Sequence, residues 1–102
     1  MKPDQQAEIV RRLRSASGHL KAIVEMTETG QPCEQVLHQL NAVQAALHVA
    51  GIKLINCQVR SSQSIILDSS SAQKRIAELK RLQSLYIIFL QYPNHHIEVS
   101  HD

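Results

Sequence analysis

Cys33 has the most distinctive chemical setting in this 102-residue chain. It follows Pro32, and proline suits the first position of a helix, so the thiol is expected in a helical first turn. Unpaired backbone N–H groups and the helix dipole favour thiolate there, the form that binds metals and attacks electrophiles. A small buried hydrophobe is the competing reading. Cys57 comes one turn after Lys53, which also favours thiolate, against the alternative of an inert half-buried cysteine. On one continuous helix the two thiols would stand about 36 Å apart, so they cannot meet within a chain, although an antiparallel neighbour would bring them together.

The histidines add less. His48 falls in an apolar stripe and suits a satisfied core position, His19 shares a flank with Arg12, and His38 projects away from the apolar seam. His95, His96 and His101 lie in a stretch expected to be a mobile tail, which makes a poor closed metal site. A different chemistry is available to Arg11, Arg12, Arg14 and Lys21. Arg11, Arg14 and Lys21 lie opposite the apolar seam of their helix with Arg12 on its flank, and no acidic residue falls between Ile9 and Val24. Such a ridge suits phosphate contacts, which gain affinity through counterion release, or is simply a solvated face. Lys74, Arg75, Lys80 and Arg81 form a second group, diluted by Glu78.

The elements that must carry these groups are helices. Val36, Leu40, Val43, Leu47, Ala50 and Leu54 recur at gaps of four and three, and Leu37, Ile52, Ile55 and Val59 make a second stripe about 100° away. A helix apolar on two faces needs cover on two faces. At about 45 Å it is too long for its flanking segments to clothe in a chain whose radius of gyration is near 13 Å. An obligate homo-oligomer follows, with the long helix packed on its copy. The first helix is expected over about 4–29, with a seam of Ile9, Leu13, Ala16, Leu20 and Ile23 or Val24, closed by Gly30. The central helix is expected over 32–63. A serine-rich joint from Ser61 to Ser71 leads to a third helix over 69–91, faced by Ile76, Leu79, Leu82, Tyr86 and Leu90 and ending before Pro93. The expected organisation is one domain over 1–92 followed by a His-containing tail, 93–102.

The totals agree with an all-α chain. Three glycines, three prolines and one phenylalanine argue against a sheet. No apolar run approaches the roughly 20 residues that span a bilayer, and the N-terminal stretch has no secretory hydrophobic region, so the expected compartment is the cytoplasm. Two cysteines in that compartment suit thiols or ligands better than a structural bridge. A formal net charge of +2 is too small to name a partner. No helix-turn-helix, zinc-finger or ribbon pattern is present.

Gly18–Met26 (GHLKAIVEM), then Cys33 with Val36–Leu47 (VLHQLNAVQAAL), resembles the CsoR/RcnR/FrmR family of bacterial repressors. The resemblance covers the first two helices closely and the third in length and pattern. It implies three helices per chain, an antiparallel four-helix-bundle dimer and a disc-shaped tetramer built as a dimer of dimers. It also implies operator DNA binding by a basic surface, with release when a ligand binds near the first-turn cysteine. Cys33 matches the family's sensing cysteine, and Arg11, Arg12, Arg14 and Lys21 fall where its first-helix DNA contacts cluster. Glu78 falls near the third-helix glutamate that couples site to DNA in copper sensors. Metal sensors of the family place a histidine 25 residues after the cysteine and a histidine or cysteine 29 after it, where this chain has Gln58 and Ser62. Neither is a good donor for soft or borderline metals. Persulfide sensors carry their second cysteine at the Ser62 position, whereas Cys57 lies about 140° round the helix from it. Formaldehyde sensors use a terminal proline near the cysteine, and this chain begins Met1-Lys2-Pro3.

The resulting expectation is a DNA-binding repressor, not an enzyme, released by a metal ion, formaldehyde or a persulfide at Cys33. No cofactor is required, although a transition-metal ion held by Cys33, with His19, the terminal amine or the tail, is one form of the effector. A small all-α dimeric enzyme of the chorismate-mutase type is the alternative, using convergent arginines for carboxylates. Arg11 and Arg14 point away from the seam, which leaves that reading without a pocket. A helical scaffold or metal-storage bundle that binds no DNA is the third.

Overall fold

The computed structural model describes residues 1–91. It consists of α1 (Pro3–Glu28), α2 (Cys33–Asp68) and α3 (Ala72–Leu90), with no strand among the described residues. Pro3 sits in the first turn of α1, where its missing N–H leaves no bond unmade, and Gln5 Oε1 accepts from the Lys2 backbone N–H at 3.4 Å. The helix ends in a Schellman motif. Gly30 N–H donates to the Thr27 carbonyl at 3.1 Å and Gln31 N–H to the Met26 carbonyl at 3.0 Å. Gly30 has φ +76°, a left-handed conformation that a Cβ would strain.

The packing divides the chain into two compact units, Met1–Leu54 and the chain from Ile55 onward. In the first, Ile9, Ala16 and Ile23 recur every seven residues on α1 and are buried together with Val43 and Ala50 of α2. Glu8 meets Lys53 and His19 meets Gln39, so the residue number falls along α2 as it rises along α1. The two helices are antiparallel, as a short connection imposes. Leu13 and Leu20, expected in the seam, are instead 41% and 44% exposed. Along α1 the buried positions Ile9, Ala16 and Ile23 follow a seven-residue spacing, while the intervening leucines stand at the edge of that stripe.

In the second unit the structure departs from the sequence expectation at Ser61–Ser71. The segment to Asp68 is helical, so α2 ends five residues beyond the expected 63, and α3 begins at Ala72 rather than 69. No glycine or proline interrupts this stretch, and its serines fit a helix because Ser62 is buried and hydrogen-bonded from its side chain. Only Ser69–Ser71 forms the joint. Ser71 caps α3, its Oγ accepting from the Lys74 N–H at 3.2 Å. Arg75 donates a guanidinium hydrogen bond to the Ser69 carbonyl. α3 has no fully buried residue, and Ile76, Leu79, Tyr86 and Leu90 of its expected apolar face are exposed.

Candidate functional site

Cys33 is the first residue of α2, exposed and unbridged. Pro32 precedes the helix rather than opening it, and its carbonyl accepts from the Val36 N–H at 3.1 Å. The sulfur therefore stands at the helix N-terminus in contact with solvent, and the small-buried-hydrophobe reading is excluded for the chain by itself. Cys57 is the reverse. It is free but buried, more fully than expected.

Gln58, Ser62 and Glu78 are brought together. Gln58 Nε2 donates to Ser62 Oγ at 2.9 Å, and Ser62, with 0% exposure, donates its hydroxyl proton to Glu78 Oε2. Arg81 Nη1 donates to the same carboxylate oxygen at 3.1 Å. An amide, a hydroxyl, a carboxylate and a guanidinium thus run in one line from α2 to α3. Each step has a donor facing an acceptor, which is what permits the burial of Ser62. Gln58 and Ser62 lie one turn apart on the same face, the spacing that two metal ligands on a helix would use. Their polar atoms are instead spent on each other and on Glu78. Among the described residues no group of three or more His, Cys, Asp or Glu is placed to hold a metal ion. The described part of one chain does not fit a transition metal by its own donors.

His19 does not approach a thiol; its Nε2–H donates to Gln39 Oε1 at 2.7 Å, fastening α1 to α2. His38 lies 3.9 Å from the Glu34 carboxylate, and His48 is half-buried. His95, His96 and His101 lie outside the described residues.

The cationic ridge separates into two classes. Arg11, Arg14 and Lys21 are exposed and form no ion pair among the described residues. Arg12 is engaged. Its Nε donates to Glu8 Oε2 at 3.1 Å, and Lys53 Nζ reaches the same oxygen at 3.2 Å. The hydrogen bond from Arg12, then that from Lys53, holds the Glu8 carboxyl below its ordinary value of 4.5. Reading α1 from Ile9 onward missed Glu8, although its i,i+4 spacing to Arg12 is a sequence signal. Lys53 as a third member has no local signal, because it arrives from another helix. In the second basic group Arg75 and Arg81 are likewise engaged, with Ser69 and Glu78.

An apolar groove of about 260 Å³ lies between the C-terminal part of α2 and α3, bounded by Ile55, Val59, Leu79, Leu82, Leu85 and Tyr86. No helix among the described residues is long and apolar enough to cross a membrane.

Residues 5–84 match the family model of the metal-sensitive transcriptional repressors. The chain is 32% identical over 76 residues to the copper-sensing transcriptional repressor CsoR of Mycobacterium ulcerans (strain Agy99). That alignment covers 74% of this chain and 65% of the relative, so the chain spans just under two thirds of the relative's length. The fold is similar to that of a variant of the formaldehyde-responsive regulator FrmR from Salmonella enterica serovar Typhimurium, with a TM-score of 0.71 at 19% identity over 86% of this chain and 97% of that one. At that identity the likeness establishes the three-helix fold and nothing finer. With the match covering α1, α2 and most of α3, the chain belongs to the metal-sensitive transcriptional repressor family.

Proposed function

We propose that this chain is an effector-responsive repressor that binds operator DNA through Arg11, Arg14 and Lys21 and is released by chemistry at Cys33. The observation that carries the reading is the row of exposed, unpaired cations on α1 in a chain of this family. Phosphate neutralised by such side chains releases counterions, which supplies sequence-independent affinity. Members of the family are transcriptional repressors rather than enzymes. The chorismate-mutase alternative has no convergent arginine pocket to support it.

The working form is a homo-oligomer, an antiparallel four-helix-bundle dimer assembling into a tetramer. Support comes from the apolar surface left open within one chain. Leu37 is 63% exposed, and Ile52, Val59, Leu79 and Tyr86 are exposed as well. The chain works in the cytoplasm, with its DNA. Cys33 receives the effector as an exposed thiol at a helix N-terminus. A metal ion there needs further ligands beyond the described residues of one chain, because Gln58 and Ser62 are committed to Glu78. Glu78 carries the change to α3 through Ser62. The named responses of the two relatives, to copper and to formaldehyde, set the first two arms of an effector panel. Nickel and polysulfide complete it.

The test is anisotropy of a labelled duplex from the promoter flanking the chain's own gene, titrated with reduced protein at several salt concentrations. Binding should weaken steeply with salt. R14Q/K21Q should lower the slope of log K against log salt by about two for each chain that contacts the duplex. C33A should bind as the wild type does and fail to release with the effector that releases the wild type. Absence of salt-sensitive binding by the reduced wild type overturns the reading, and mass spectrometry of Cys33 across the panel identifies the effector class.

A further inference from the structure

We propose that Glu8 is an internal stand-in for phosphate: its carboxylate occupies Arg12 and Lys53, which engage DNA only by exchanging Glu8 for operator phosphates. The inference rests on the repressor reading and deepens it. One oxygen, Glu8 Oε2, serves both cations, at 3.1 Å from Arg12 Nε and 3.2 Å from Lys53 Nζ. The side chains of Arg12 and Lys53 are each 36% exposed and that of Glu8 39%, so all three are open to a ligand from solvent. On a helical wheel Glu8 lies about 60° from Arg11 and 40° from Arg12, which places the carboxylate at the flank of the phosphate-facing ridge. A negative group there subtracts one charge from the surface. It also supplies a carboxylate oxygen where a phosphate oxygen would otherwise meet the two cations. Arg11, Arg14 and Lys21 are available to any polyanion, whereas Arg12 and Lys53 are withheld until a phosphate displaces Glu8. Exposed ion pairs of this kind are weak enough to exchange.

The competing account makes the same triad a fastening of α1 to α2, with no part in DNA binding. Two duplexes of equal length, one the flanking promoter and one unrelated, separate the two accounts, since the phosphate contribution is independent of sequence. E8Q should bind both duplexes at least roughly three- to tenfold more tightly at about 0.1 M salt, with a salt slope steeper by about one for each chain that contacts the duplex. E34Q removes the same charge at an exposed position paired only with His38, and should change binding less than about twofold. E8D keeps the carboxylate and should behave as the wild type. E8Q/K53Q should return the slope to the wild-type value. E8Q binding no tighter than E34Q, with an unfolding temperature close to the wild type's, overturns the proposal and leaves the repressor reading standing. A wild-type chain that binds neither duplex overturns both.

Discussion

Between Met1 and Leu54 the buried side chains of the two helices are Ile9, Ala16, Ile23, Val43 and Ala50, whereas from Ile55 onward the buried ones among the described residues are Cys57 and Ser62 and α3 contributes none. The first unit excludes water with aliphatic side chains and keeps its polar contacts, the ion pairs Arg12–Glu8–Lys53 and the hydrogen bond His19–Gln39, at the rim. The second puts a polar line, Gln58–Ser62–Glu78–Arg81, where an aliphatic contact would otherwise stand, and leaves an apolar groove open beside it. Apolar packing is non-directional and tolerates small shifts; a buried line of donors and acceptors holds only in one register. In the second unit a small displacement of α3 along α2 would break the hydrogen bond between Ser62 and Glu78.

This contrast can be broken most directly by shortening one aliphatic residue. Ile23→Ala should lower the unfolding free energy by about 2–4 kcal/mol in a denaturant titration, because the cavity it leaves lies between α1 and α2. A loss well below that would mean the first unit does not depend on its aliphatic contact. Ser62→Ala should lower it by about 1–3 kcal/mol, by removing the hydroxyl that satisfies Gln58 and Glu78. Adding Glu78→Gln to Ser62→Ala should cost less than the two single changes together, the mark of residues in one network. Simple additivity would separate Ser62 from Glu78 energetically.

The smallest expected effect sharpens the other side. Glu8 has its carboxyl lowered from 4.5 by Arg12 first and Lys53 second, so its contribution is fully present above the unfolded value and is lost as pH falls through the folded one. Thermal unfolding followed from pH 6 downward should show any advantage of the wild type over E8Q holding to about pH 4.5 and fading below it. An advantage that instead fades between pH 6 and 5 would assign it to another group.

The ends of α1 were legible because Pro3 and Gly30 act through their own backbones. The place of Cys33 at the start of α2 was legible for a similar reason, since Pro32 marks a helix start to within one residue, whereas its exposure was not. The run of α2 through Ser61–Asp68 was not. Serine favours turns and caps when its hydroxyl has only local partners, and the partner of Ser62 lies sixteen residues away on α3. Gln58 and Ser62 could be recognised as poor metal donors from their chemistry, but not as partners of one another and of Glu78. The ridge of Arg11, Arg14 and Lys21 was visible in order along the chain, whereas the removal of Arg12 from it depends partly on Lys53.

By itself the sequence determined three helices, their amphipathic period, the family and the place of Cys33 at the start of α2, because each is set by residues within a few positions of one another. Tertiary structure alone decided that Leu13 and Leu20 stay at the edge while Ile9, Ala16 and Ile23 are buried, that α2 outlasts its serines, and that Glu8 holds two cations. Those outcomes turn on which side chains on different helices come within about 3 Å of each other, and that depends on how one helix docks against the next.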